Sequence, residues 1–376
     1  MPELTVPPRL RLGGQPLSVV GRARIYVCGV TPYDVTHLGH AATFVWVDVA
    51  DRVLRRLGVR TEVCRNVTDV DDVLDAAAAQ VGSRFDSFAA VQQFRFDRDM
   101  AALGVRRPTH EPRAHNYVEH VVALAEALLE AGAAYERDGS VWFRGADVTA
   151  RAGLDRVTAR GLAVEFGERF DDGREEWSDV AVWRAAGPGA GTSEPAWPSP
   201  WGEGRPGWHA ECAAMALTTF GPALDLHIGG ADLRYPHHAY EAAMAEAVTG
   251  VTPFARAWLH VGTVQVDGEK MAKSAGNLVL VSEVVERYPP AVLRLLLIDR
   301  PWVRPWDFEP ASLDHAAARL ERLYAAAARQ TDGSPSAARA VTIALSANLD
   351  VPAALAVAET DGGAAARLAL SVLGLS

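Results

Sequence analysis

An apolar, β-rich run at Arg24–Val30 (RIYVCGV) leads into Thr31–His40 (TPYDVTHLGH), whose Pro, Asp and Gly read as a loop. From Gly39 to Leu57 the apolar residues Ala42, Val45, Trp46, Val49, Val53 and Leu54 recur at steps of three and four, a helix that stops at Gly58. A second β-rich run, Arg60–Val67 (RTEVCRNV), follows at once. The first 70 residues therefore read as a βαβ unit of the parallel-sheet class. Ligands bind such sheets at the carboxyl ends of the strands, which directs attention to the TPYDVTHLGH loop.

The 376-residue chain is long enough for two or three domains. With 49% apolar and 22% charged residues, general disorder is excluded. No run of roughly 18 apolar residues spans a membrane, and residues 1–20 lack a basic start followed by an apolar core, so a cytoplasmic location is expected. Cys28, Cys64 and Cys212 are too few and too scattered for a disulfide framework. The formal charge of −10 argues against nonspecific nucleic-acid binding. Of 37 basic residues 35 are Arg, and the only two lysines are Lys270 and Lys273. Two lysines three residues apart in so Arg-rich a chain point to retained chemistry, with chance as the alternative.

Residues 85–135 read as helical, notably Tyr117–Leu129, and Gly139–Arg144 begins a strand-bearing insertion. The Gly- and Pro-dense run Gly187–Trp208 is expected to exclude regular structure. A helix (209–220), a strand (Leu224–Ile228), a helix (His237–Val248) and a strand (Ala257–Val266) resume the α/β pattern. The chain is mostly helical from Ser282. The expected divisions are a first catalytic half (1–125), an insertion (126–200), a second catalytic half (201–265), a lysine loop with connecting helices (266–310) and a helical bundle (311–376). That last part carries five Arg, six Asp or Glu and no Lys, so it is not a basic RNA-binding domain.

His37-Leu38-Gly39-His40 sits where a strand's end meets a helix's start, a place suited to phosphate. Gly39 allows close backbone approach, and two imidazoles suit charge growing on an α-phosphate. The plainer alternative is that one His caps the helix and the other is surface. Lys270-Met271-Ala272-Lys273-Ser274 follows an Asp-Gly turn and places two ammonium groups on a loop able to close over a triphosphate.

Paired HxGH and KMxKS signatures on a split parallel sheet resemble the class I aminoacyl-tRNA synthetases, specifically their cysteinyl branch. Tyr26–Gly29, Asn66–Asp72, Gly204–Cys212 (GRPGWHAEC) and Pro236-His237-His238 resemble that branch in order and spacing. Cys28–Thr43, Trp183–Ala186 and Pro198–Trp208 look closer to the mycothiol ligases within it. The resemblance implies a Rossmann-like parallel sheet with an inserted subdomain and a C-terminal helical bundle. It implies zinc on Cys28, Cys212, His237 and Glu241, with His209 in support. Spacing alone would make these a buried thiol and a helix-surface His–Glu pair. It also implies that Cys28, Thr31, Thr43, Asn66 and Thr68 meet the cysteinyl group and that Trp208 walls it. Gly39, Gly230, Asp232, Val264 and Ser274 would hold the nucleotide, with His227 and Asp225 in the same neighbourhood. His37, His40, Lys270 and Lys273, with Mg²⁺, would act on the leaving pyrophosphate. Cys64 reads as a core residue.

Three departures bear on the acceptor: Glu241 matches the synthetases rather than the mycothiol ligases, Ala272 replaces a usual Ser, and Glu168–Gly173 (ERFDDG) is only loosely like the ligases' Glu-Arg-Gly-Gly-Asp-Pro. The expected activity is an ATP-dependent, AMP-forming ligation of L-cysteine, through cysteinyl-adenylate, to the amine of glucosaminyl-inositol; tRNA is not the expected acceptor. The alternatives are a truncated cysteinyl-tRNA synthetase, a ligase for another amine, and a catalytically silent cysteine-binding paralogue.

Overall fold

In the computed structural model of the chain, which describes residues 9–33, 35–168, 170, 173–187, 195–272, 275–330 and 335–376, the central sheet is organised around one strand. That strand, β1 (Arg22–Val30), pairs in parallel with β2 (Arg60–Val67) on one side. Helix α1 (Leu38–Arg56) makes the crossover and buries Ala41, Ala42, Val45, Val49 and Val53. Ala23, Ile25, Tyr26 and Val27 are all buried, as befits a parallel strand covered on both faces. The β1–β2 register breaks between Val27↔Arg65 and Val30↔Val67, three steps along β1 against two along β2. This bulge lifts Cys28 and Gly29 out of the ladder. Gly29 donates its N–H to Asn66 Oδ1 at 2.8 Å, and a Cβ there would lie 1.6 Å from the Asn66 carbonyl oxygen, so only glycine fits.

After β2 come helices α2 (Asp72–Gln80), absent from the periodicity reading, α3 (Phe85–Ala102) and α4 (Val118–Glu130). The 85–135 span is not helical throughout. Between α3 and α4 the chain runs parallel to β2 through bridges Cys64↔His110 and Val67↔Arg113, an edge disguised in sequence by Pro108 and Pro112. The inserted subdomain is an antiparallel sheet of β3 (Ala134–Arg137), β4 (Ser140–Phe143), β5 (Val180–Ala185) and β6 (Gly204–Pro206), interrupted by α5 (Ala146–Arg151) and α6 (Arg156–Glu165). Strand β6 lies past residue 200 and inside the run expected to exclude regular structure. Its glycines serve packing: a Cβ on Gly204 would meet Trp183 Nε1 at 2.3 Å, and one on Gly207 would meet the Ala181 oxygen at 1.8 Å.

Helix α7 (Trp208–Phe220) and α8 (His237–Thr249) flank β7 (Leu226–Gly230), which pairs in parallel with β1, and β8 (Trp258–Val261) lies beyond it. The sheet order is therefore β8-β7-β1-β2, with the direction of winding changing between β7 and β1. The Ala257–Val266 run is two strands, not one. It breaks at Gly262, packed against the Arg304 backbone, and β9 (Val264–Val266) joins a separate small sheet with β10 (Glu269–Lys270) and β11 (Trp306–Asp307).

The helices α9 (Val281–Val285), α10 (Pro290–Ile298), α11 (Ala311–Ala327), α12 (Pro335–Ser346), α13 (Val351–Asp361) and α14 (Gly363–Leu373) share one apolar core with α1 and the central sheet. No described helix is long and apolar enough to cross a membrane. Arg294 of α10, 1% exposed, ties this core together. It donates to the carbonyls of Leu373 (2.6 Å) and Leu103 (2.9 Å) and to Asp48 of α1 (2.5 Å). Removing one partner of such a network leaves buried polar groups unsatisfied, so Arg294→Ala is expected to lower unfolding free energy by roughly 3–5 kcal/mol in a urea titration. A loss below about 1 kcal/mol would show that the guanidinium is dispensable.

Candidate active site

A cavity of about 390 Å³ opens at the carboxyl ends of β1, β2 and β7. Its lining includes Cys28 and Thr31 from the end of β1, Asn66 and Thr68 from that of β2, and Gly230 and Asp232 from that of β7. Helix α1 adds His37, Gly39, His40 and Thr43, while Trp208, Cys212, His237, Val264 and Lys270 complete the set of sequence-derived candidates present there. Glu241 is fully buried and does not line the cavity. Lys273 and Ser274 lie outside the described residues. Asp225 is not at this end: it accepts from the Arg24 N–H at 2.9 Å near the start of β1, because a carboxylate there is drawn to Arg24 and Arg256.

His37 caps α1, its Nδ1 accepting from the Gly39 N–H at 3.0 Å, and its ring lies 3.9 Å from that of His40. No acidic residue occupies the first turn, so the positive end of the helix dipole is left for an anion. Burial pulls the His40 pKa down to about 4, which keeps the imidazole neutral at physiological pH. The two signatures are joined by backbone: Leu38 donates to the Val279 carbonyl and Val281 to that of Thr36, both at 3.0 Å. Asn277 accepts from the Ala272 N–H at 2.9 Å and so folds the lysine loop back on itself.

Cys28, Cys212 and His237 offer donor atoms that all lie within 4.8 Å of one another, and all three are buried. Asn66 connects this group to the bulge, donating from Nδ2 to Cys212 Sγ at 3.3 Å while its Oδ1 accepts from Gly29. His237 shares a hydrogen bond between its Nδ1 and that of His209 at 2.8 Å, leaving Nε2 to ligate. Burial holds the His237 pKa well down, so the ring is neutral, the form a metal requires. Burial, then Cys212, then Glu241 push the Cys28 thiol up; a divalent cation on these sulfurs acts in the opposite sense. Two thiols and a neutral imidazole are a donor set suited to zinc.

The four ligands implied by resemblance do not form one group. Glu241 belongs instead with Cys28, His227 and His238, because its buried carboxylate takes the His227 Nε2–H at 3.0 Å. Glu241 Oε2 is 3.6 Å from Cys28 Sγ, the sulfur common to both groups. His227 is thus a mid-strand partner of Glu241, and His238 Nδ1 pairs with His260 Nε2 at 2.9 Å. Cys64 is a core residue, fully buried, with its thiol pushed up by burial to about 12. Among residues that sequence reasoning missed, Phe166, Tyr33 and Leu233 also line the cavity. Tyr33 and Leu233 stand beside recognised motifs, whereas Phe166 comes from the insertion and carries no sequence signal.

A parallel sheet with its crevice at the point where winding reverses, an HxGH turn at a helix start and a lysine loop stitched to it define a class I synthetase catalytic domain. The family model described as tRNA synthetases class I (C) catalytic domain matches residues 16–318, and the chain belongs to that family. It is 43% identical over 311 residues to a cysteine–tRNA ligase of Alkalilimnicola ehrlichii, covering 81% of this chain and 65% of that relative, so it spans about two thirds of the relative's length. It is 42% identical over 384 aligned positions to the L-cysteine:1D-myo-inositol 2-amino-2-deoxy-alpha-D-glucopyranoside ligase of Nocardia farcinica, covering 95% of this chain and 91% of the relative. The solved methionyl-tRNA synthetase of Mycobacterium tuberculosis with methionyl-adenylate shares the fold, with a TM-score of 0.64 at 17% identity over 95% of this chain and 82% of that one.

If Cys28, Cys212 and His237 hold zinc, the purified protein contains about one zinc per chain, and Cys212→Ser releases most of it under mild chelation. Metal analysis showing full retention in that variant would remove Cys212 from the ligand set.

Proposed function

We propose that the protein activates L-cysteine with ATP as cysteinyl-adenylate and transfers the cysteinyl group to the amine of glucosaminyl-inositol, as a cytoplasmic enzyme. One observation carries the reading: a thiol, thiol and imidazole group shares a single cavity with a helix start that has no acidic residue in its first turn, two histidines and Lys270. The first set suits a thiolate substrate and the second a triphosphate.

Zinc, which Cys28, Cys212 and His237 would hold, would supply a soft anchor for the substrate thiolate. Thr31, Thr43, Asn66 and Thr68 surround the amino acid, and Trp208 covers it, its ring stacked 4.0 Å from that of His237. Gly39, Gly230, Asp232, Val264 and, beyond the described residues, Ser274 serve the nucleotide. With both ends of the reaction fixed, the cysteine carboxylate is aimed at the α-phosphorus of ATP–Mg²⁺. As pyrophosphate leaves, the α1 N–H groups, His37, neutral His40 and Lys270 face the growing negative charge, and Lys273, beyond the described residues, is assigned the same role. The acceptor amine then attacks the cysteinyl carbonyl, forming the amide and releasing AMP.

Glucosaminyl-inositol is favoured because similarity to the Nocardia farcinica ligase takes in 95% of this chain, bundle included. That bundle, with five Arg and six acidic residues over 311–376, lacks the positive charge that RNA phosphates demand. The 43% identity to a cysteine–tRNA ligase and the presence of Glu241 make tRNA the second reading.

Incubating the protein with cysteine, ATP and either glucosaminyl-inositol or cysteine tRNA, followed by mass spectrometry, separates the readings. The expected result is the cysteinyl amide of the aminosugar with one AMP per product. Aminoacylated tRNA instead would overturn the acceptor, and absence of AMP in every reaction would overturn cysteine activation itself.

A further inference from the structure

The insertion reaches into the site through the last turn of α6. That turn is rigidly presented: Ala159 and Ala163 are buried, Gly167 takes a left-handed φ of 83°, and the N–H groups of Gly167 and Glu168 return to the carbonyls of Val164 (2.9 Å) and Ala163 (3.0 Å). The backbone therefore holds Glu165 and Phe166 in place. Lys270 Nζ lies 2.9 Å from Asp232 Oδ2, 3.5 Å from Glu165 Oε1 and 5.7 Å from the centre of the Phe166 ring. Phe166 also stacks on Trp208, with centroids 6.0 Å apart and planes at 23°, and Trp208 stacks on His237.

We propose that Glu165 and Phe166 are positioning residues of the adenylation reaction: Glu165 holds the Lys270 ammonium on the carboxylate side, with Asp232 and in competition with the triphosphate, and Phe166 braces Trp208 over the amino acid. The inference rests on the reading of Lys270 and Asp232 as ATP-binding residues. Asp232 is wanted by ribose hydroxyls and Lys270 by phosphate, so the ion pair between them must open for ATP to use either. Glu165 adds a second carboxylate on the lysine side, making that opening harder, while not itself lining the cavity. Phe166 acts differently. Its ring is an apolar wall for Trp208, so it bears on cysteine rather than on ATP. A segment of two adjacent residues thus tunes both substrates of the first half-reaction, through an ion pair in one case and a ring stack in the other.

The test uses the full zinc-loaded chain, with direct MgATP titration by calorimetry and cysteine-dependent ATP–pyrophosphate exchange measured side by side. Glu165→Gln, which keeps shape and removes charge at a half-exposed pair, is expected to tighten MgATP by roughly two- to fivefold and to lower the KM for ATP rather than to change kcat. Phe166→Ala is expected to raise the KM for cysteine by about fivefold or more, and Phe166→Tyr to restore it. Unchanged or weaker ATP binding in Glu165→Gln would overturn the clamp even if Phe166→Ala failed to fold. A cysteine KM within twofold of wild type in a folded Phe166→Ala would overturn the brace. Because calorimetry needs no turnover, wild-type protein that binds ATP but shows no exchange would sink the proposed function while leaving the ATP arm of this test intact.

Discussion

Parallel pairing of β1 on both sides, interrupted by one extra residue at Cys28–Gly29, is the constraint on which the site depends. Pairing with β2 and β7 brings three strand ends to one edge of the sheet, and the bulge turns Cys28 out of the ladder there. Asn66 then fastens the bulge on one side and Cys212 on the other, through a single amide. Any side chain larger than hydrogen at residue 29 would collide with the Asn66 carbonyl and move the Cys28 sulfur. The thiol group is thus positioned by backbone geometry, with helix α1 leaving the same edge to present its positive end.

Burial also keeps several imidazoles neutral. His40 and His260 are drawn down to about 4 and His209 to about 3, each by burial, so they serve as uncharged donors and acceptors. Of these, His40 lines the cavity, as does His237, also held neutral by burial, while His209 supports His237 through a hydrogen bond: by the proposed reading a neutral N–H meets phosphate and a neutral nitrogen meets zinc. Positive charge is supplied instead by Lys270. Burial works against that ammonium, but Asp232 and Glu165 more than offset it and hold it charged. The lysine's partners therefore matter as much as the lysine.

The βαβ unit, the helix beginning at Gly39 and the β7–α8 repeat were legible because hydrophobic spacing and local turn residues agree with tertiary packing there. The cavity gathers nearly every described candidate because the motifs sit at strand ends, where topology alone brings them together. Contacts set by side-chain electrostatics were not legible. Spacing places Glu241 one turn from His237 on α8, yet the carboxylate turns to His227 of strand β7. Asp225 has the right sequence neighbourhood and sits at the wrong end of β7, held by Arg24. Gly204 and Gly207 read as loop residues because glycine selected for close packing has the same letter as glycine selected for a turn. Phe166 belongs to an insertion whose docking no local pattern encodes.

By the proposed reading, a thiol-lined metal group chooses cysteine. Serine has nearly the same shape, so a cavity without such an anchor separates the two poorly, whereas a required thiolate–metal contact is worth several kcal/mol. A difference of ~4–6 kcal/mol corresponds to roughly 10³–10⁴ in specificity. The direct measurement is kcat/KM for ATP–pyrophosphate exchange with each amino acid on the zinc-loaded protein. A thiolate–metal anchor gives a preference for cysteine over serine of about a thousandfold or more. Serine activation within tenfold of cysteine would contradict it, whatever the metal content.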